Sequence, residues 1–174
     1  MPVRDVQTLE IVTVDGPRAG ILRRRARPVG TVTLPNQHLI DAMIETLHTV
    51  RGLGLAAPQV GEGKRILVAE VEDRLIVLVD PTIVRASGGA VDTEACLSIP
   101  GVVAPVRRAL RVAVKGKNRR GRGITVQAEG LLARVLQHEI DHLDGILFLD
   151  RVEDPATIER IRPEDTEEVA AAGE

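Results

Sequence analysis

The sequence predicts a single α+β domain. Three observations carry this: 174 residues with 44% hydrophobic content suffice for one core of ordinary size, two segments repeat apolar residues at helical spacing, and the stretches between them hold short apolar or alternating runs bounded by turn residues. No internal repeat competes with that organisation.

The first helix is "NQHLIDAMIETLHTV", where Leu39, Ile40, Met43, Ile44, Leu47 and Val50 recur at helical spacing. Asn36, directly after Pro35, is its expected N-cap. A glycine-rich loop, "RGLGLAAPQVGEGK", leads into "RILVAEV" and "RLIVLVDP", two strands joined by a short turn at Glu72 and Asp73. In "IVRASGGAVDTEACLSIPG", turn residues flank a short extended piece around Cys96. "LRVAVKG" and "GITVQAEG" alternate as a hairpin around the basic turn "KNRRGRG". The last strong helix, "GLLARVLQHEIDHL", is rich in good helix formers and closes at Gly145. Beyond it, "PATIERI" has room for about two helical turns before Pro163 stops it, and the polar, acidic end is expected to be disordered.

Composition narrows the function classes. A net charge of -2 and a pI near 6.1 give no global field toward nucleic acid or acidic lipid. With one Phe and no Trp or Tyr, base-stacking platforms are missing, so neither DNA nor single strands are expected partners. No apolar run is long enough to span a bilayer, and the first thirty residues lack a signal-peptide pattern, so the expected location is cytoplasmic, without a membrane partner. The single cysteine, Cys96, permits no internal disulfide, which suits a reducing compartment.

The chemistry concentrates in "LQHEIDHLDG". His138 and His142 are four positions apart on a helix, so both can point at one ion while Glu139 projects beside them. The plainer alternative is a helix whose histidines are solvated or bonded in the core. Catalytic metals usually take three protein ligands, so a third must come from elsewhere. His38 and His48 fall on the polar side of their helix and look solvated. Cys96 has soft-ligand chemistry, although a lone cysteine is more often a small buried hydrophobe.

Three stretches match one family in order. "GLGLAAPQVG" (52–61), "EACLSIPG" (94–101) and "QHEIDHLDG" (137–145) resemble the signature motifs of the peptide deformylases, and the similarity extends over residues 9–152. The resemblance implies antiparallel strands wrapped around a central helix that carries the His-Glu-x-x-His motif. It implies one catalytic domain over residues 1–152, followed by the acidic tail 153–174. It also implies one divalent metal ion held by Cys96, His138 and His142: Fe²⁺ as the natural ion, with Zn²⁺, Ni²⁺ or Co²⁺ able to take its place.

The substrates it implies are N-formylmethionyl nascent peptides, cleaved to formate and a free amino terminus. Glu139 is then the proton carrier, while the Gln59 amide and the Leu97 backbone N–H face the developing oxyanion. Gly54 lies along the substrate main chain, where a missing Cβ allows close approach, and Leu53, Leu131 and Val135 line the methionine pocket. Glu94 and Arg108 are placed to pair and brace the cysteine loop. The family's usual glycine before the cysteine is replaced by Ala95, whose methyl is expected to point away from the ion on an extended backbone. Val103, Ala104 and Pro105 also depart from the pattern, in a loop expected to touch substrate.

A transient ribosome contact is a further family expectation. The eight acidic residues after Val152 argue against the tail as its site, and favour "RRRAR" (23–27) and "KNRRGR" (117–122). Two other readings stand beside the deformylase: a zinc peptidase sharing His-Glu-x-x-His, and a binding module that keeps the metal as a structural staple.

Overall fold

The computed structural model describes residues 6–171. A five-stranded antiparallel sheet runs in the order β1 (Gly54–Ala56), β2 (Ile66–Val71), β3 (Arg74–Ser87), β6 (Arg111–Lys117), β7 (Gly123–Glu129). A second sheet of three strands pairs β4 (Ala90–Cys96) with β5 (Ile99–Arg108), and β5 with β8 (Glu159–Arg160).

Strand β2 is apolar on both faces because both are covered. Ile66 and Val68 share a core with Ile40, Met43 and Leu47 of α1 (Leu34–Thr49), whereas Leu67, Ala69 and Val71 share one with Leu132, Leu136, Ile140 and Leu143 of α2 (Gly130–Leu143). The period-two alternation therefore divides one strand between two cores. Helix α2 sits centrally, as expected. Its apolar face closes the five-stranded sheet, and its other face turns Arg134, His138, Asp141 and His142 toward β4 and β5. Gly145 ends it with a φ of 73°, and an added Cβ there would lie 2.7 Å from the Arg23 carbonyl oxygen.

Both predicted hairpins form. Glu72 and Asp73 take φ values of 51° and 61°, the left-handed pair that a two-residue hairpin turn demands. Strand β3 continues past its expected end through an irregularity at Asp80 (φ 52°) and Pro81, where the register with β6 shifts. A proline enters a paired strand at such an interruption because it has no N–H to donate.

Three local expectations are corrected. Thr33, not Asn36, is the N-cap of α1; Asn36 Oδ1 accepts the Thr33 N–H at 3.0 Å and its hydroxyl at 2.7 Å from within the first turn. Val103, Ala104 and Pro105 belong to β5 rather than to a loop. Residues 155–161 do not form two helical turns, and residues 164–171 are ordered rather than disordered. Asp154 caps a 3-10 turn at Pro155–Thr157, β8 pairs with Val102 and Val103, and α3 (Thr166–Ala171) follows.

The edge of β5 explains that last difference, because an unpaired row of backbone groups offers hydrogen bonds that outweigh a weak helical preference. Gly101, with φ 75°, accepts the Ile161 N–H at 3.0 Å and donates its own N–H to the buried Thr166 Oγ1 at 2.9 Å. Residues 172–174, the end of the expected disordered tail, lie outside the described residues. Among the described residues no helix is long and apolar enough to cross a membrane.

Candidate metal centre

Cys96 ends β4 where the chain turns through Leu97 and Ser98 into β5, while His138 and His142 stand one turn apart on α2. The Cys96 Sγ and one ring nitrogen from each histidine all lie within 4.8 Å of one another, and all three residues are buried. Cys96 Sγ is 3.3 Å from His142 Nε2. Glu94 Oε1 is 2.8 Å from His138 Nδ1, which fixes the ring and leaves Nε2 as its ligand atom. His38 and His48 stay on the exposed side of α1, as the periodicity predicts, but His48 is paired with Glu70 at 2.5 Å rather than merely solvated.

One sulfur and two imidazole nitrogens suit a divalent transition metal and leave a fourth position open. The fit is supported by Glu139 Oε2, a buried carboxylate oxygen in this same helical turn with no hydrogen-bond partner among the described residues. The electrostatics agree. Burial lowers the His138 pKa, but hydrogen bonds to Cys96 and Glu94 outweigh it and carry the ring well above its ordinary value. His142 is held well below its ordinary value, first by burial and then by the charges of His138 and Arg108. Burial pushes Glu139 up to about 7, against the opposing pull of His138.

Behind the cluster runs a buried ionic chain. The expected pair forms: Arg108 Nε and Nη2 donate to the two oxygens of Glu94 at 2.8 and 2.9 Å, and Arg134 Nη1 adds a bond to Oε2 at 2.7 Å. Burial raises the Glu94 pKa, yet the contacts from Arg108 and His138 hold it well below the usual carboxylate range. Arg108 Nη1 also reaches Asp141 at 2.5 Å, and Arg151 grips the two oxygens of Asp141 at 3.1 and 2.8 Å. An anion is thus kept against His138 by groups that are themselves charge-balanced, which is the condition for burying it.

A cleft of about 60 Å³ opens beside the donor atoms, and Leu53, Gly54, Gln59, Ala95, Leu97, Leu131, Val135 and Glu139 all border it. Gln59 is 1% exposed. Its Oε1 accepts the Ala56 N–H at 2.9 Å, which turns Nε2 toward Cys96 Sγ at 3.7 Å and Ser98 Oγ at 3.3 Å. At Gly54 the missing side chain has a reason the sequence did not show: a Cβ there would lie 2.6 Å from Glu139 Oε1 and 2.8 Å from Val135 Cγ1. The glycine lets β1 press directly on the turn of α2 that carries Glu139.

Ala95 is extended and opposite Val103, outside the positive-φ region as expected. It nevertheless borders the cleft beside Cys96. The register jumps between the pairs Ala95–Val103 and Cys96–Ile99, so simple alternation does not separate the two side chains. Val103, Ala104 and Pro105 do not border the cleft; Val103 and Ala104 are buried at 5% and 1% exposure. Sequence reasoning passed over Arg134, Asp141, Arg151 and Ser98. Arg134 and Asp141 carried a signal: they lie four residues before and three after His138, and so share its face.

This arrangement can be compared with known proteins. A family profile described as "Polypeptide deformylase" matches residues 8–157. The chain belongs to that family. It is 49% identical to a peptide deformylase of Pelotomaculum thermopropionicum over 131 residues, spanning 75% of this chain and 84% of the relative. The crystal structure of a peptide deformylase from Synechococcus elongatus in complex with actinonin superposes with a TM-score of 0.80 at 40% identity, covering 86% of this chain and 81% of that one. A Met-Ala-Ser-bound peptide deformylase from Acinetobacter baumannii gives 0.79 at 32% identity, covering 84% and 99%. Members of the family are metal-dependent hydrolases that remove the N-formyl group from nascent peptides, and this chain is a peptide deformylase in that sense.

Proposed function

We propose that Cys96, His138 and His142 hold one divalent ion, Fe²⁺ as the natural ion and Zn²⁺, Ni²⁺ or Co²⁺ as substitutes, and that the adjoining cleft takes an N-formylmethionyl peptide. The observation that carries this is the meeting, beside one largely apolar cleft that Cys96 and His138 line, of three candidate ligand atoms, a buried carboxylate with a pKa raised to about 7, and an amide N–H₂. Bound there, the ion supplies Lewis acidity that polarises the formyl group and acidifies water.

Leu53, Leu131 and Val135 form the apolar wall that receives the methionine side chain, and β1 at Gly54 and β4 at Ala95 flank the peptide backbone. Water adds to the formyl carbon. Glu139 accepts its proton, and the Gln59 Nε2–H and the Leu97 backbone N–H donate to the oxygen as negative charge grows on it. The C–N bond then breaks, Glu139 delivers the proton to the departing nitrogen, and formate and a free α-amine remain. The Met-Ala-Ser bound to the A. baumannii relative has the form of the second product.

The catalytic unit is placed in residues 1–152, of which 1–5 lie outside the described residues. The reaction is placed in the cytoplasm beside translating ribosomes. Any transient ribosome contact falls to the basic segments 23–27 and 117–122, where Arg24, Arg120 and Arg122 are exposed.

Formate release from formyl-Met-Ala-Ser, measured beside cleavage of unformylated Met-Ala-Ser, tests the reading. Formate release without peptide-bond cleavage is expected. Cleavage of the unformylated peptide would point to a peptidase, and neither reaction in metal-loaded protein would leave a binding module.

A further inference from the structure

Arg134 borders two cavities at once. One is the cleft beside Cys96, His138 and Glu139. The other is a separate cavity of about 260 Å³ lined by Ala90, Val91, Asp92, Ala109, Leu110 and Gly130. Leu131 and Arg134 are the residues common to both. Leu131, at the start of α2, is only partly buried, whereas the Arg134 side chain is 9% exposed.

A buried arginine is an unusual choice for the wall of an apolar pocket, and its hydrogen bonds show how the charge is kept out of it. Nη1 donates to Glu94 Oε2 at 2.7 Å and to the Val106 carbonyl at 2.8 Å, and Nη2 donates to the Ala90 carbonyl at 2.9 Å. These partners lie on β4 and β5, so the planar guanidinium is fixed against the three-stranded sheet. The methylene stem is what remains between that anchor and the helix. It is apolar, unbranched and held by its head, where an aliphatic residue of the same reach would retain rotamer freedom.

We propose that the stem of Arg134 is the floor of the side-chain pocket and sets the length of N-terminal side chain that the enzyme accepts. The Ala90, Glu94 and Val106 contacts act as the clamp that keeps the floor in place. This rests on the reading of the cleft as the methionine pocket. It adds that the pocket ends where it does because one arginine closes it off from the cavity under Ala90 and Leu110. Arg134 is a specificity residue in this account, and takes no part in the proton transfers.

The test compares kcat/KM for formyl-Met-Ala-Ser with that for formyl-2-aminooctanoyl-Ala-Ser, whose straight side chain is two atoms longer. Arg134→Ala joins the two cavities, and the ratio of long to methionyl substrate is expected to rise by roughly tenfold, the scale of burying two further methylene groups. Arg134→Met keeps a stem of similar reach without the clamp. Because the stem stays but is no longer held by its head, the ratio should rise by clearly less than in Arg134→Ala, while the melting temperature falls. General damage to the fold lowers both rates together and leaves the ratio alone.

Should Arg134→Ala fail to fold, Arg134→Leu, with a shorter stem, should raise the ratio by about threefold. An unchanged ratio in whichever of these two variants folds with parental metal content overturns the proposal. So does a rise in Arg134→Met as large as that in Arg134→Ala, which would leave the stem no part in setting the length. Absence of formate release from the parent protein would instead overturn the reading of the cleft itself.

Discussion

Glu94 Oε1 sits 2.8 Å from His138 Nδ1 while both Glu94 oxygens are gripped by Arg108. The carboxylate that orients the His138 ring is therefore itself immobilised, and on the proposed ligand set metal affinity would depend on a residue that never touches the ion. Glu94→Gln is expected to weaken metal retention about 10- to 100-fold, the usual scale for the partner of a ligating histidine. It should also lower stability by about 3 kcal/mol, because Arg134 loses its buried counter-charge and Arg108 is left with Asp141 alone. Metal content after dialysis against a graded chelator, together with urea unfolding, checks both halves. Parental retention would show that the ring is held without Glu94.

Glu139→Gln preserves size and removes the base. It should keep the ion and the fold and lose about 10²- to 10⁴-fold in kcat. Cys96→Ala should lose the ion itself. The pH dependence has a definite sign: a base works only when ionised, so kcat/KM must fall as pH drops through the Glu139 pKa. Burial, chiefly, raises that value to about 7 against the pull of His138, and a bound cation beside it favours the carboxylate, so the acid limb of the metal-loaded enzyme is expected below 7. A limb above 7, or its persistence in Glu139→Gln, would assign it to another group.

At Gly54 the conflict is steric. A methyl group would sit 2.6 Å from Glu139 Oε1 and 2.8 Å from Val135 Cγ1, closer than real contacts come. Either β1 or the Glu139 side chain must move. Gly54→Ala should therefore cost about 1–3 kcal/mol of stability and reduce kcat by at least about 100-fold, the scale expected of misplaced catalytic groups. Near-parental kcat would mean that β1 yields without disturbing Glu139.

Local patterns were legible from sequence wherever a single periodicity decided the outcome. Helix α2 and both hairpins belong to this class and rest on spacing; the convergence of Cys96, His138 and His142 was expected instead from three motifs matched in order. The buried polar face of α2 was not legible in the same way. Asp141 and Arg134 read as ordinary helix charges, and only the approach of Glu94 and Arg108 from β4 and β5 turns them into a buried network. The reason for Gly54 was hidden likewise, since its neighbours Val135 and Glu139 are some eighty residues away in the chain. Asn36 was misplaced because Thr33 and Asn36 are both good capping types, and the choice between them rests on where the first turn closes.

The C-terminal segment is the clearest case of tertiary structure overriding composition, and it yields the last prediction. An acidic, polar stretch with a proline reads as disordered, yet Thr166 is 4% exposed and its Oγ1 accepts the N–H of Gly101, five residues beyond Cys96. Thr166→Val removes that acceptor while keeping the shape, so a buried backbone N–H is left without a partner. A loss of about 1–3 kcal/mol follows. Among the described residues no hydrogen bond joins Thr166 or Gly101 to Cys96, His138, His142 or Glu139, so metal content and kcat should stay near parental. Thr166→Ser, which retains the oxygen, should recover most of the stability. Thermal unfolding of the two variants, read beside formate release, decides the matter: equal melting temperatures for Val and Ser would show that the contact carries no weight. A loss of metal in Thr166→Val would show instead that the tail supports the cysteine turn directly.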